Sequence, residues 1–240
     1  MKILRNILLV ILLIIFITGI VFFILGNNLY KTALDGNSLE EIISEIQASP
    51  NYIEYEDLPQ NYINAVIAVE DHRFREHGAI DLFAIGRAIY VNITNFEFRE
   101  GGSTITQQLA KNIFYITEDQ VAIRKAAEII TSFDLENKYD KNEILELYVN
   151  TIYFGDGYYG IAEACNGYLN KDVSEMTLED CTMLAGIPNA PSVYAPTVNS
   201  DLTRSRQEKV ISSMIEYGYL SKNDESKLLD NLDEYYEQFE

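Results

Sequence analysis

Nineteen consecutive residues, Ile7 to Leu25, carry no charge. At about 1.5 Å of rise per residue, a helix of that length nearly matches a hydrocarbon layer of roughly 30 Å. The segment therefore reads as a membrane-spanning anchor. A cleaved signal peptide is the competing reading, but the apolar run is long for one, and no small-x-small cleavage pattern follows before Gly26-Asn27-Asn28. Lys2 and Arg5 precede the span and Lys31 follows it, a charge bias that leaves residues 1–6 in the cytoplasm and the rest outside.

The 240 residues suffice for that anchor and one well-filled domain. With 37 Asp and Glu against 18 Lys and Arg, the formal net charge is −19, which argues against nucleic acid as a partner. Any anionic ligand then needs a local basic site. Cys165 and Cys181 are the only cysteines, and both fall in Ala-rich helical patterns. One disulfide is possible outside the cell, but small buried hydrophobes suit the pattern better.

Residues 26–57 are polar and read as a stalk, with a short amphipathic stretch from Leu39 to Ile46. From Leu58 onward the apolar period is helical, with Ile63, Val66, Ile67 and Glu70 at i, i+3, i+4 and i+7. Further helices are expected over Ile80–Val91, Ser103–Phe114, Val121–Tyr139, Lys141–Tyr153, Gly160–Leu169, Leu178–Ala185 and Leu202–Tyr217. The breaks fall at Glu100-Gly101-Gly102, Gly155-Asp156-Gly157 and Pro188 to Pro196. The organisation is thus an anchor over 7–25, a stalk over 26–57, a mainly α domain over 58–220 and an acidic tail over 221–240, which reads as a solvated helix.

Four segments hold residues suited to chemistry. The apolar helix through Ala65 ends on Glu70 and Asp71, followed by Phe74 and His77. A carboxylate against an apolar helix end has a raised pKa, as a general base for a sugar hydroxyl needs; a surface acid pair closing a helix is the plain alternative. Next, two glycines precede Ser103-Thr-Ile-Thr-Gln-Gln-Leu-Ala-Lys111. Free N–H groups at a helix start capped by Ser103, two hydroxyls and Lys111 make a phosphate cradle, although an ordinary capped helix fits too. The Gly-Lys-Ser/Thr ending of an NTP-binding loop is missing. Third, Arg124-Lys-Ala-Ala-Glu128 places Arg124 and Glu128 one turn apart, either as an i, i+4 ion pair or as a pyrophosphate site with a second carboxylate. Last, Lys141 to Gly155 has a core-facing side of Ile144, Leu145, Tyr148 and Ile152, with Asn150 and Tyr153 as candidates for a saccharide groove.

In this order and spacing the segments resemble glycosyltransferase family 51, the peptidoglycan glycosyltransferases of lysozyme-like, two-lobed fold, from about Leu58 to Tyr219. The motifs are Glu-Asp-x-x-Phe-x-x-His at Glu70–His77, Gly-Gly-Ser-Thr-x-Thr-Gln-Gln at Gly101–Gln108, Arg-Lys-x-x-Glu at Arg124–Glu128 and Lys-x-x-Ile-Leu-Glu-x-Tyr-x-Asn at Lys141–Asn150. A weaker fifth element runs from Arg204 to Ile211, after Leu184-Ala-Gly-Ile-Pro-Asn-Ala-Pro-Ser-Val-Tyr194. The resemblance implies polymerisation of lipid II: Glu70 deprotonates the acceptor 4-hydroxyl, that oxygen attacks the donor's anomeric carbon, and undecaprenyl pyrophosphate leaves with inversion. Glu128 would be the second catalytic acid. Asp71, Phe74, His77, Arg87, Ser103, Thr104, Gln107, Gln108, Lys111, Arg124, Lys125 and Asn150 would bind substrate. Mg²⁺ or Mn²⁺ would assist, with Glu128 as its ligand.

The resemblance further implies a bacterial cell membrane, a growing glycan strand, and transpeptidases among the partners. Ile80–Val91 and the Phe96–Phe98 region would dip into the bilayer. Asp119, beside Glu118, stands where many members carry an Arg, and Tyr168-Leu169-Asn170-Lys171 replaces Tyr-Phe-Gly-Lys. The chain has no Ser-x-x-Lys and no Lys-Thr-Gly, so a transpeptidase site is not expected in it. A glycan-cleaving enzyme of lysozyme type and an inactive wall-synthesis scaffold are the rival readings. A cleaving enzyme has no use for Lys111, Arg124 and Lys125 around a leaving pyrophosphate, and a scaffold has no reason to keep Glu70 and Glu128.

Overall fold

The computed structural model describes residues 2–95 and 101–239. In chain order the helices are α1 (Lys2–Leu34), α2 (Leu39–Gln47), α3 (Gln60–Glu70), α4 (Leu82–Asn95), α5 (Ile105–Phe114), α6 (Val121–Lys138) and α7 (Lys141–Thr151). A small antiparallel hairpin of β1 (Tyr153–Gly155) and β2 (Tyr158–Tyr159) follows. Then come α8 (Ile161–Leu169), α9 (Leu178–Gly186), α10 (Pro191–Tyr194), α11 (Ser200–Glu216) and α12 (Lys222–Tyr236). The domain is mainly α, as expected. The hairpin is the exception: Gly155, Asp156 and Gly157 all have positive φ, so the helix expected to reach Tyr153 stops at Thr151 and the chain reverses.

The helices pack in two groups. In one, α5 lies against α6 and α7, and α6 carries α1 on its far side; in the other, α3, α9 and α11 pack mutually and α12 covers α11. Helix α3 belongs to the second group, and its C-terminal end reaches α5 of the first through the Glu70–Gln108 hydrogen bond. Tyr62, Ile63, Ala65, Val66, Ile67 and Ala68 on α3 are all buried, so its C-terminal residue, Glu70, emerges between the groups. The apolar run on α3 therefore does more than bury area, because it aims the end of the helix into the cleft. Ser38, Asp140, Thr177 and Ser221 each close a capping box at the start of α2, α7, α9 and α12, which sets where those helices begin.

The anchor differs from the expected span followed by a stalk. Helix α1 is one continuous rod of 33 residues, about 50 Å long by its rise per residue, so its last turns outreach a bilayer core. From Ile7 to Val21 the apolar side chains are exposed, Phe22 is partly buried, and Gly26 and Tyr30 are buried against the domain. Gly26 permits this contact. A Cβ there would lie 2.8 Å from Ala126 Cβ and 2.9 Å from the Ala127 nitrogen, and one turn on Tyr30 donates a hydrogen bond to Asp134 of α6 and meets the Phe114 ring edge-on. Residues 39 and 43 continue the theme, since Leu39 and Ile43 of α2 are part of the main core. Much of the stretch read as a stalk is thus built into the domain.

We expect Gly26→Leu to force α1 off α6, at a cost of about 1–3 kcal/mol for overpacking. A lowered thermal midpoint of the detergent-solubilised protein, together with new proteolysis between residues 26 and 38, would report it.

The terminal tail is likewise no solvated helix. Leu228, Leu232 and Tyr236 of α12 are buried, the Tyr236 hydroxyl donates to Gln207 at 2.7 Å, and the Tyr235 hydroxyl donates to Asp180 at 2.8 Å. Cys165 and Cys181 are free and buried, and burial pushes both thiols up to about 12, so they behave as small inert hydrophobes. Asn170 ends α8 at φ 51, in the left-handed region. That conformation accounts for Asn where the family pattern has Gly, because the two residues tolerate it best.

Candidate active site

Glu70 holds both its oxygens on fixed donors. Oε1 lies 3.2 Å from Arg206 Nη2, and Oε2 accepts a hydrogen bond of 3.0 Å from Gln108 Nε2. Gln108 is itself oriented by the Tyr148 hydroxyl, which donates to its Oε1 at 3.2 Å. The surroundings of Glu70 are therefore not the apolar ones expected of a helix end: they are a guanidinium and an amide, each anchored from behind. A carboxylate offers about four lone-pair directions, so two remain for a ligand hydroxyl.

On either side of Glu70 lies a cavity. The first, of about 320 Å³, is walled by Ser103, Gln108, Lys111, Arg124, Lys125 and Glu128, with Gln107, Val121, Pro188 and Asn189 completing it. Three cations and two carboxylates meet there in a chain of net charge −19, which makes it a local basic site. Lys125 Nζ bridges Ser103 Oγ at 2.8 Å and Glu128 Oε2 at 2.7 Å, while Arg124 Nε is 3.4 Å from Glu128 Oε1. Arg124 Nη1 also donates to the Glu118 carbonyl at 2.7 Å, so the loop carrying Glu118 and Asp119 holds this arginine through its backbone. The i, i+4 pair and the anion cradle are thus one arrangement: the buried Glu128 gathers and aims two cations. Among the described residues Lys111 has no ion-pair partner, and its exposed ammonium is available to a ligand.

The second cavity, of about 400 Å³, is lined by Asp71, His72, Arg87, Arg206, Lys209 and Glu216, with Gly101, Asn189 and Tyr217 nearby. His72 stacks on Tyr217 with ring centroids 4.2 Å apart and planes at 9°. Burial, with the Arg87 charge added, holds the His72 imidazole below its ordinary value, so the stack presents a neutral, flat wall.

Several expected positions play other parts. Thr104 rather than Ser103 caps α5, accepting from the Gln107 nitrogen at 3.1 Å, which frees the Ser103 hydroxyl for Lys125. Gln107 is buried, and its amide donates to the Ala79 carbonyl at 3.3 Å. Phe74 is a fully buried core ring with Lys141 Nζ 4.4 Å over its face. Asn150 does not reach the cleft: its amide exchanges 2.8 Å hydrogen bonds with the backbone of Ile53 and bonds the Glu146 carbonyl, fastening the segment before α3 to α7. Tyr153 packs on Tyr159 in the hairpin.

Asp71 accepts from the Ile105 nitrogen at 3.1 Å through Oδ2 and pairs with His77 Nε2 at 2.8 Å through Oδ1. Burial disfavours charge on His77, but its bonds to Asp71 and the Gly78 carbonyl outweigh this and raise its pKa. Residues 96–98, expected to meet the bilayer, lie outside the described residues.

Glu128 was also the expected metal ligand. Its two oxygens are each committed to a cation, and among the described residues Glu128 belongs to no cluster of three or more metal-ligating side chains. The protein groups there do not fit a resident divalent ion.

Arg206 escaped the sequence reading as a site residue, being 136 positions from Glu70. A signal did exist. Thr203, Arg206, Gln207, Val210, Ile211 and Met214 form the buried stripe of α11, and an arginine on such a stripe needs a buried partner.

A partly buried carboxylate with oriented donors thus lies between an anion cradle and a second polar cavity. The family comparison gives the class of protein that carries this site. Residues 35–215 match the model of the Transglycosylase family, and the chain belongs to it.

A Cupriavidus necator protein named only provisionally as a transglycosylase is 38% identical over 201 residues, 84% of each chain. Penicillin-binding protein 1F of Bacillus subtilis is 42% identical over 182 residues, and penicillin-binding protein 1A of Neisseria lactamica 41% over 183. Each match covers 76% of this chain but only 25% and 23% of those proteins, so this chain spans about a quarter of their length. A crystal structure of penicillin-binding protein 1A from Haemophilus influenzae aligns with a TM-score of 0.45 at 24% identity over 74% of this chain and 17% of its own, too loosely to add to the assignment.

Proposed function

We propose that this chain is a membrane-anchored peptidoglycan glycosyltransferase that polymerises lipid II into β-1,4-linked glycan and releases undecaprenyl pyrophosphate. The observation that carries the reading is the position of Glu70 between a cationic cavity and a second, separate one. The donor's pyrophosphate lies in the first, against Lys111, Arg124, Lys125 and Ser103. The acceptor sugar lies in the second, with its 4-hydroxyl on Glu70.

Glu70 takes the hydroxyl proton as the oxygen attacks the donor's anomeric carbon, and the bond to the pyrophosphate oxygen breaks with its electron pair. The leaving group concentrates negative charge, and preformed cations stabilise that charge without reorganising. Arg206 and Gln108 fix the base in angle. No step here depends on a metal held by Glu128.

The anchor sits naturally with a lipid substrate. Its apolar turns cross the bilayer with the N-terminus cytoplasmic, and the domain stands on the outer face. Leu82, Phe83, Ile89, Tyr90 and Ile93 of α4 are exposed apolar side chains next to the second cavity's Arg87, suited to immersion at headgroup depth. Transpeptidases that cross-link the strands would be its working partners.

Incubating the detergent-solubilised protein with lipid II and resolving the products by gel tests this reading. Glycan strands are the expected product; cleavage of preformed glycan instead would identify a hydrolase, and neither product from folded protein would identify a scaffold. Lys111→Ala is expected to raise KM for lipid II about 10- to 100-fold, the value of a lost charge-assisted contact, with little effect on folding because the side chain is exposed.

A further inference from the structure

We propose that a groove on the side of α5 away from the cleft is a docking site for a partner polypeptide, which it holds by a lysine side chain. The groove has a volume of about 480 Å³ and is formed by α2, the segment after it, the last turns of α5 and α7, and the hairpin with α8. Gln108 and Lys111 of α5 line the donor cavity, whereas Asn112 and Ile113 line the groove, so the helix stands between the two. Two carboxylates, Glu45 and Glu163, face into it, and no Lys, Arg or His does.

Glu163 is the group that calls for a cation. It is partly buried and held from two sides, with Oε2 accepting from the Tyr159 nitrogen at 2.9 Å and Oε1 from Asn51 Nδ2 at 3.4 Å. Among the described residues no basic side chain pairs with it. By contrast Glu70, Asp81, Glu128, Glu136 and Asp180, also shielded from water, each have a cation at ion-pair distance. A shielded carboxylate without one has its desolvation offset by neutral donors alone. About two of its roughly four lone-pair directions stay open. Glu146, which accepts from the Tyr52 hydroxyl of the groove at 2.6 Å and likewise has no cation, deepens the negative field.

The rest of the lining selects the form of that cation. Ile42, Ile46 and Ile113 are partly buried apolar side chains, suited to the methylene stem of a lysine whose ammonium lies at the carboxylates. Asn112 is partly buried, and its amide has no hydrogen-bond partner among the described residues. An amide donates and accepts, which matches the peptide groups beside a lysine. An anion finds no positive group here, and the net charge of −19 draws a basic segment in from a distance. Docking bears on α5, the helix that carries Gln108 and Lys111, but it does not depend on polymerisation of lipid II.

The test is a titration of the full-length protein in detergent, read by nuclear magnetic resonance of labelled isoleucine methyl groups and assigned with Ile42→Val, Ile46→Val and Ile113→Val. The probes are acetyl-Ala-Lys-Ala-amide and the same tripeptide acetylated on the lysine ammonium. Saturable shifts of the three methyl signals are expected with the first, and binding about tenfold weaker with the second, the effect of losing a charge-assisted contact. Glu163→Gln, which keeps an oxygen for the Tyr159 nitrogen, is expected to weaken the lysine peptide by about the same factor. No shift at these methyls, equal affinity for the acetylated peptide, or undiminished binding to folded Glu163→Gln overturns the proposal. So does butylamine binding as tightly as the lysine peptide, the mark of a site for small amines. Shifts that grow with protein concentration in the absence of peptide would put a second copy of this chain in the groove and overturn it as well. Should Glu163→Gln not fold, the two peptides on the wild type decide.

Discussion

Glu70→Gln is expected to slow lipid II polymerisation by about 10²–10⁴-fold, the usual contribution of a positioned general base, or roughly 3–5 kcal/mol of barrier. The amide keeps the size of the side chain and an oxygen for one of its two donors, Arg206 and Gln108. Loss of rate should therefore come with a small change in thermal midpoint and with lipid II still bound, since the cradle of Lys111, Arg124 and Lys125 is untouched. Single-turnover polymerisation and a binding titration on the same sample separate these. A Gln variant that polymerises at the wild-type rate would remove Glu70 from the chemistry.

The largest expected effect on stability is at Asp180, which is fully buried and far in sequence from any catalytic motif. Its carboxylate accepts from Lys171 Nζ at 2.6 Å, the Thr177 nitrogen at 2.8 Å and the Tyr235 hydroxyl at 2.8 Å, so one side chain joins the end of α8, the start of α9 and the covering helix α12. Asp180→Ala is expected to cost about 3 kcal/mol, the lower end for breaking a buried pair, because Lys171 is about a third exposed and can turn to water. For a chain of this size the thermal midpoint should fall by about 6–12 °C.

The same residue sets an acid limit. Burial works to raise the Asp180 pKa, but the bonds from Lys171, Thr177 and Tyr235 prevail and lower it below the ordinary carboxylate value of 3.8. A depressed folded pKa means the stabilisation is complete above about pH 4, the pKa of an unfolded Asp, and is lost as pH falls through the folded value. Wild-type stability should drop over that acid range, and Asp180→Asn should flatten the dependence. A pH-stability curve with the same acid slope in both proteins would assign the slope to other carboxylates.

Local signals are legible in this sequence because they act over one to four residues. The charge-free run marks the anchor, the 3.6-residue period marks nearly every helix, and the order of the Glu70, Ser103 and Arg124 segments carries the family. Arg124, Lys125 and Glu128 sit within about one turn of α6, so their share of the cradle could be anticipated from spacing, with Lys111 on the preceding helix α5. The Gly155-Asp156-Gly157 turn was visible as a break, but pairing across it depends on partners for Tyr153 and Gly155, which no propensity supplies.

What the sequence alone determined is the set of pieces: an apolar anchor, a mainly α domain, a base candidate and a basic cluster. Their relations were decided only in three dimensions. Arg206 reaches Glu70 across 136 positions because α3 and α11 share a buried face. Gly26 fuses the anchor to α6, and α12 closes over Asp180 through tyrosines that in sequence look like solvated polar residues. Asn150, which by type suits a sugar, is spent on backbone groups that would otherwise be buried without partners. In each case the deciding term is the need of a buried polar or close-packed group for a partner. That partner is set by how helices stack, and it can lie anywhere along the chain.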